Sequence, residues 1–77
     1  MRGTCMLSDL RPGEGAVVRS LGAAGDTRRR LQDIGLISGT TVTCERVSPL
    51  GDPVAYRIRG ATMALRGSDA GVVEVER

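Results

Sequence analysis

The residues best suited to chemistry in this sequence are two cysteines, Cys5 and Cys44, because the 77-residue chain contains no histidine. Without histidine, the commonest general base and transition-metal ligand are missing, and Ser–His, Cys–His and two-His metal sites are excluded within this chain. The two cysteines lie far apart in the sequence and form no CxxC pair. We interpret them as reduced thiols, one of them buried, and keep them only as weak candidates for metal ligands.

The charged residues argue against nucleic acid as a partner. All eleven basic residues are arginines, nine acidic residues leave a net charge of +2, and Tyr56 is the one aromatic residue. Nucleic-acid binding usually needs a clustered basic face or aromatic stacking platforms. Neither is evident from the sequence, so a small RNA-binding domain is the weakest of the binding functions that we consider.

Two pairs of arginines are candidates for contacts with a partner protein. Arg28 and Arg29 belong to the arginine run at residues 28–30, and Arg57 and Arg59 share the outer face of a predicted strand. Either pair could dock on an acidic surface. The alternative is that they are ordinary solvated side chains, which is what most charge runs are.

A second candidate site for a partner is the turn-rich segment Ser48–Pro53, which predicts the tip of a hairpin. Its candidate residues are Pro49, Leu50, Gly51 and Asp52. Leu50 is an apolar residue at a predicted turn, so it either anchors a partner or folds back over the end of the core. For Asp52 we expect a hydrogen bond to the backbone of its own turn.

The elements that would position these residues are short. Alternating apolar residues predict strands over 15–21, 41–47, 54–59, 62–66 and 72–76. One helix is predicted over Asp26–Ile34, capped by Asp26 or Thr27, with an ion pair from Asp33 to a neighbouring arginine. Gly35 ends this helix and Leu36 completes a Schellman motif. Short turns are predicted at 6–10 and 67–70.

These elements predict a mainly β fold, a small SH3-like barrel of about five short antiparallel strands, with one short α-helix inserted after the first strand. Cys44 should lie in its core, whereas Tyr56 should be half-buried with its hydroxyl at the surface. We expect a single domain over residues 1–77. It is too small for a deep catalytic cavity and has no nucleophile beside a base, so we expect no enzyme.

The N-terminus does not resemble a signal peptide, and no segment approaches the roughly 20 apolar residues of a membrane span. The sequence therefore predicts a cytoplasmic protein with no direct membrane insertion.

Four segments, taken together in their order and spacing, resemble the FeoA family. Leu31–Thr40 is similar to the family pattern "rL.dlGl.pGt", and Ser48–Val54 resembles "aPlGdPv". The ending Gly60–Val75 resembles "g..laLr..eA..i.V", and the opening Leu7–Gly13 is similar to "Ls.l.pG". The resemblance covers almost the whole chain.

The sequence departs from the family pattern at two positions. Ser38 stands where proline is usual, and Ser48 stands where alanine is usual. Neither change affects the predicted fold, because Gly39 can still make the first turn and serine is small.

The resemblance implies a cytosolic SH3-like barrel that assists bacterial ferrous iron uptake. Its implied partner is FeoB, a membrane transporter with a GTP-binding domain, which it would bind and modulate. No cofactor is required by the residues, and only the family association suggests a divalent transition metal. The alternative function is a metal-sensing regulatory domain related to the C-terminal domain of iron-dependent repressors. Self-association through an open strand edge is a further expectation.

Overall fold

Six strands form one antiparallel sheet in the computed structural model, which describes residues 3–77. The strands are β1 (Thr4–Met6), β2 (Gly15–Leu21), β3 (Thr41–Val47), β4 (Val54–Ile58), β5 (Ala61–Leu65) and β6 (Val73–Glu76). The connecting elements are a 3-10 turn (Leu7–Asp9) and the helices α1 (Gly25–Asp33) and α2 (Gly67–Ala70). The mainly β prediction is confirmed.

The strand order in the sheet is β1-β6-β2-β3-β4-β5. The register shifts between Val18 and Ser20 in β2, and between Cys44 and Arg46 in β3. Bulges of this kind bend a strand and increase its twist, so the sheet can wrap around one core. The prediction missed β1, and α1 consequently follows the second strand of the chain and not the first.

Inward-facing residues of the strands and the apolar residues of the turns form the core. Val42, Cys44 and Ile58 are buried, as their alternation with polar residues predicts. Tyr56 is also fully buried, and its hydroxyl donates a hydrogen bond to the backbone carbonyl of Leu7 at 3.4 Å. The expectation of a hydroxyl at the surface is therefore wrong: Tyr56 lies on the inner face of a strand with neighbours on both sides.

The end of α1 follows the predicted Schellman motif. Gly35 has φ of 108°, its N–H donates to Gln32 O at 3.0 Å, and the N–H of Leu36 donates to Leu31 O at 3.1 Å. Leu36 is fully buried. The start of α1 differs from the prediction, because Ala24 occupies the N-cap and no side chain caps the helix.

Candidate partner-binding surface

The loop between β3 and β4 holds Leu50 in solvent, where the residue is 94% exposed. The loop is closed by the pair Val47–Val54 and by two backbone hydrogen bonds, from Gly51 N–H to Ser48 O at 2.8 Å and from Ser48 N–H to Pro53 O at 3.3 Å. The Ser48 hydroxyl also donates to Pro53 O. These local bonds order the turn without using the leucine, so the alternative in which Leu50 folds back over the core is wrong.

Asp52 links this loop to a different part of the chain. Its Oδ1 accepts a 2.7 Å hydrogen bond from the N–H of Gly67, the first residue of α2. The first N–H groups of a helix have no acceptor within the helix, so a carboxylate placed there satisfies one of them. We expected Asp52 to bond its own turn; the structure gives it this bond 15 residues away instead.

A salt bridge continues the connection from α2 to α1. Arg30 Nη2 lies 2.7 Å from Asp69 Oδ1. We expected Asp33 to pair with an arginine of the same helix. Arg30 instead pairs with Asp69, which lies 39 positions away in the sequence. The loop, α2 and α1 are thus joined in series by polar contacts at the surface.

Further apolar surface lies beside Leu50 at the same end of the hairpin. Val47, at the end of β3, is 40% exposed, and Pro49 and Pro53 are also exposed. We call Val47, Pro49, Leu50 and Pro53 the tip surface. A rigid turn that presents a leucine among other apolar groups is suited to fill a pocket on a partner.

The candidate arginines on α1 are only partly engaged. Arg28 Nη1 donates to the backbone carbonyl of Leu21 at 3.3 Å, which holds the start of α1 against the end of β2. Arg29 is exposed, and the structure shows no ion pair for it within residues 3–77.

The candidate arginine of β4 is largely neutralised on the outer face of the sheet. Arg57 Nη1 lies 3.3 Å from Glu45 Oε2, and the hydroxyl of Thr62 donates to Glu45 Oε1 at 2.7 Å. The hydrogen bond from Thr62 has the largest effect on the Glu45 carboxyl, and together with the hydrogen bond and charge of Arg57 it lowers the pKa of that group despite the opposing effect of desolvation. Arg57 therefore adds little free positive charge for a partner.

Arg59 is held in an unusual conformation at the turn between β4 and β5. Its φ is 53° and that of Gly60 is 83°, as expected of a two-residue hairpin turn of type I′. Its aliphatic stem packs against Gly35, since a Cβ built on that glycine would lie 2.7 Å from Arg59 Cδ. Arg59 is thus fixed beside the end of α1.

The structure separates the candidate residues into different places. The tip surface lies at the start of β4, whereas Arg57 and Arg59 lie at its other end, about 13 Å away for four strand residues. The sequence identified both groups of residues, but it could not show that they lie too far apart to share one binding site.

The cysteines do not form a joint metal site. In the sheet order, β6 and β2 separate Cys5 on β1 from Cys44 on β3. Burial, and to a smaller extent the charge of Glu14, raise the pKa of the Cys44 thiol and so favour its protonated form, which is a poor metal ligand. Within the described part of the chain, no three or more Cys, Asp or Glu side chains are grouped as metal ligands. The residues that the structure describes do not fit a resident metal ion.

Neither helix among residues 3–77 has the length and apolar character needed to cross a bilayer.

A small antiparallel sheet that bends around one core is the architecture of an SH3-like barrel. The FeoA domain family matches residues 5–77, so the chain belongs to the FeoA family. The SH3-like prediction is confirmed by a solved relative, the FeoA of Stenotrophomonas maltophilia in complex with zinc, which is described as an SH3-domain protein. It is 28% identical with a TM-score of 0.82, and the match covers 95% of each chain.

Two other relatives extend this result. The FeoA protein of Chlorobium tepidum is 37% identical with a TM-score of 0.85, over 92% of this chain and 68% of that one. A fusion of Fe(2+) transport protein A with the Fe(2+) transporter FeoB, from Porphyromonas gingivalis, is 40% identical over 70 residues. That match covers 91% of this chain but only 8% of the fusion protein.

Metal-dependent repressors share the fold alone. A manganese-dependent transcriptional repressor superposes with a TM-score of 0.84 over 97% of this chain and 42% of the repressor chain, at 18% identity.

Proposed function

We propose that this protein is an accessory factor of bacterial ferrous iron uptake that binds an FeoB-type membrane transporter at its cytoplasmic side and modulates transport. The observation that carries the proposal is the natural fusion of a 40% identical FeoA segment with FeoB in one polypeptide. Fusion keeps two proteins at high effective concentration, which is useful when they act together. We assign no catalytic step to the chain itself, and Fe²⁺ is the cargo of the transporter.

The tip surface is the contact that we assign to the transporter. Leu50 is almost fully exposed on an ordered turn, so its burial in a partner would release water from apolar surface without a large ordering cost. Arg28 and Arg29 on α1 are assigned a secondary role, attraction toward acidic surface of the partner. Exposed charges of this kind affect association rate more than final affinity.

The proposal is tested by binding and transport together. The full-length chain is immobilised and exposed to the FeoB-type transporter of the same organism, both intact in detergent and as its isolated GTP-binding part. Ferrous iron uptake is measured in cells with and without the gene. We expect binding to at least one form and reduced uptake in the deletion strain. Absence of binding to both forms, together with unchanged uptake, would contradict the proposal.

A metal-sensing role is the second candidate, since the Stenotrophomonas maltophilia relative was solved in complex with zinc. The scattered carboxylates and thiols of residues 3–77 argue against a stoichiometric site. Calorimetry with Fe²⁺, Zn²⁺ and Mn²⁺ separates the two functions, because a sensor must bind one of these ions stoichiometrically and an accessory factor need not.

A further inference from the structure

The outer edge of β5 has no partner within residues 3–77. All five residues of β5 pair with β4, and β5 is the last strand in the sheet order. No backbone hydrogen bond outside the β4–β5 ladder reaches Ala61–Leu65. A free strand edge offers a row of N–H and C=O groups on which another extended chain can pair.

The geometry identifies which backbone groups face outward. In a two-residue hairpin the closing pair, Ile58 and Ala61, exchanges both hydrogen bonds, and the pairs then alternate along the ladder. Thr62 and Ala64 therefore point their N–H and C=O groups away from β4. The ladder between β3 and β4 gives the same result. The backbone N–H and C=O of Cys44 bond to the segment just before β2, so those of its neighbour Thr43 bond to Arg57 on β4. The backbone N–H and C=O of Arg57 therefore face β3.

Natural proteins usually protect such an edge with a charged residue, a proline or a bulge. The β5 strand, Ala-Thr-Met-Ala-Leu, contains no charge and no proline, and its register with β4 is unbroken. The opposite edge, β1, is only three residues long. The β5 edge is thus the longer and the less protected of the two.

The charges that flank β5 select the kind of chain that fits. Arg59 precedes the strand and Arg66 follows it; both are exposed, and neither forms an ion pair with any residue of 3–77. Antiparallel pairing with a second copy, centred on Met63, would place Arg66 opposite Gly60 of the other copy and hence beside the other Arg59. Like charges in that arrangement disfavour self-pairing.

We infer that the β5 edge binds an extended segment of another protein as a seventh strand, and that this segment is uncharged in the middle with an acidic side chain near each end. Backbone bonds to Thr62 and Ala64 supply the pairing. Arg66, and at longer range Arg59, whose stem lies against Gly35 at the end of α1, supply the preference for acidic ends. The β5 edge meets the tip loop at one end, where Leu65 pairs with Val54, but the inference does not depend on the transporter being the partner.

The test uses the full-length, isotope-labelled protein and a capped peptide of alternating threonine and valine with a glutamate at each end. Its seven residues match the five of β5 and one flanking position on each side. Amide shifts in NMR titrations locate the binding. Three controls are the same peptide with lysine ends, the same peptide N-methylated at alternate residues on its pairing edge, and the protein variant Ala64→Pro, which removes an outward N–H but no bond to β4.

We expect the glutamate peptide to shift the amide signals of Thr62 and Ala64 most. The lysine peptide should bind at least about tenfold more weakly. The methylated peptide and the variant Ala64→Pro should abolish the shifts. Because Ala64→Pro must keep the wild-type spectrum elsewhere to be informative, the methylated peptide provides the same test on the unaltered protein. Equal binding of both peptides, shifts remote from β5, or a concentration-dependent dimer that pairs through β5 would each overturn the inference.

Discussion

Leu36 and Leu50 each lie next to a glycine with positive φ, and they have opposite environments. Leu36 follows Gly35 and is fully buried, whereas Leu50 precedes Gly51 and is 94% exposed. The first closes a helix and contributes to the core. The second contributes almost nothing to folding, because its turn is ordered by backbone bonds and by the Ser48 hydroxyl. Leu50 is therefore free to make the partner contact proposed above.

We expect the largest loss of stability from a substitution of Leu36. Leu36→Ala removes a buried side chain and leaves a cavity, so the free energy of unfolding should fall by about 2–5 kcal/mol. Chemical denaturation of both proteins measures the difference. The matched variant Leu50→Ala should change it by less than about 0.5 kcal/mol. Equal losses in the two variants would mean that Leu50 is a core residue in solution.

The core that encloses Leu36 also predicts a pH dependence. Burial raises the pKa of Tyr56 to about 12 from an ordinary value of 10.0. Since the folded-state pKa is the higher one, the stabilisation is complete below pH 10 and is lost as the pH rises toward 12, by about 2–3 kcal/mol. The buried Cys44 thiol, whose pKa is also raised, acts in the same direction.

Urea unfolding between pH 9 and 12 checks this expectation, and absorbance of the single tyrosine follows its ionisation directly. Tyr56→Phe should flatten the profile and leave only the thiol contribution. Ionisation of Tyr56 near pH 10 in the folded protein would contradict its burial.

Gly35 tests how closely the turn before Leu36 is packed. Gly35→Ala forces a side chain into φ of 108° and places Cβ 2.7 Å from Arg59 Cδ and 3.2 Å from Ile58 Cγ2. We expect a loss of about 1–3 kcal/mol. Adding Arg59→Gly should recover part of this loss of stability, since the closest contact of the new Cβ is with the flexible side chain of Arg59. If the effects of the two substitutions were purely additive, Arg59 would not pack against residue 35. Gly51, where nothing lies within 4 Å, is the control and should show the backbone strain alone.

Local signals in the sequence predicted most of the elements. The bounds of β2, β3 and α2 agree with the prediction, because alternation and turn residues mark them within a few positions. The Schellman motif at Gly35 is likewise a local pattern. The strand β1 was missed because three residues carry too little alternation, and it is a strand only through pairing with β6 near the other end of the chain.

Contacts between distant parts of the chain were not predictable in the same way. Asp52 bonds to Gly67 and Arg30 to Asp69, and neither partner is marked by spacing or composition. The candidate binding residues were identified by type, but their separation onto the two ends of β4 appears only once the strand is placed. The free edge of β5 was expected only in general terms, because the strand order decides which edge is free.

We propose that Leu50 contacts the FeoB-type transporter. The affinity of Leu50→Ser for that transporter tests this most directly. Ile37→Ser, which removes another exposed apolar side chain, is the matched control, because Ile37 lies four residues before β3 and so at the end of that strand opposite to the tip surface. We expect Leu50→Ser to keep the wild-type free energy of unfolding and to bind at least about tenfold more weakly, which corresponds to a loss of about 1.4 kcal/mol or more at an interface anchor. We expect Ile37→Ser to bind like the wild type. Wild-type affinity of a folded Leu50→Ser protein would contradict the proposed contact.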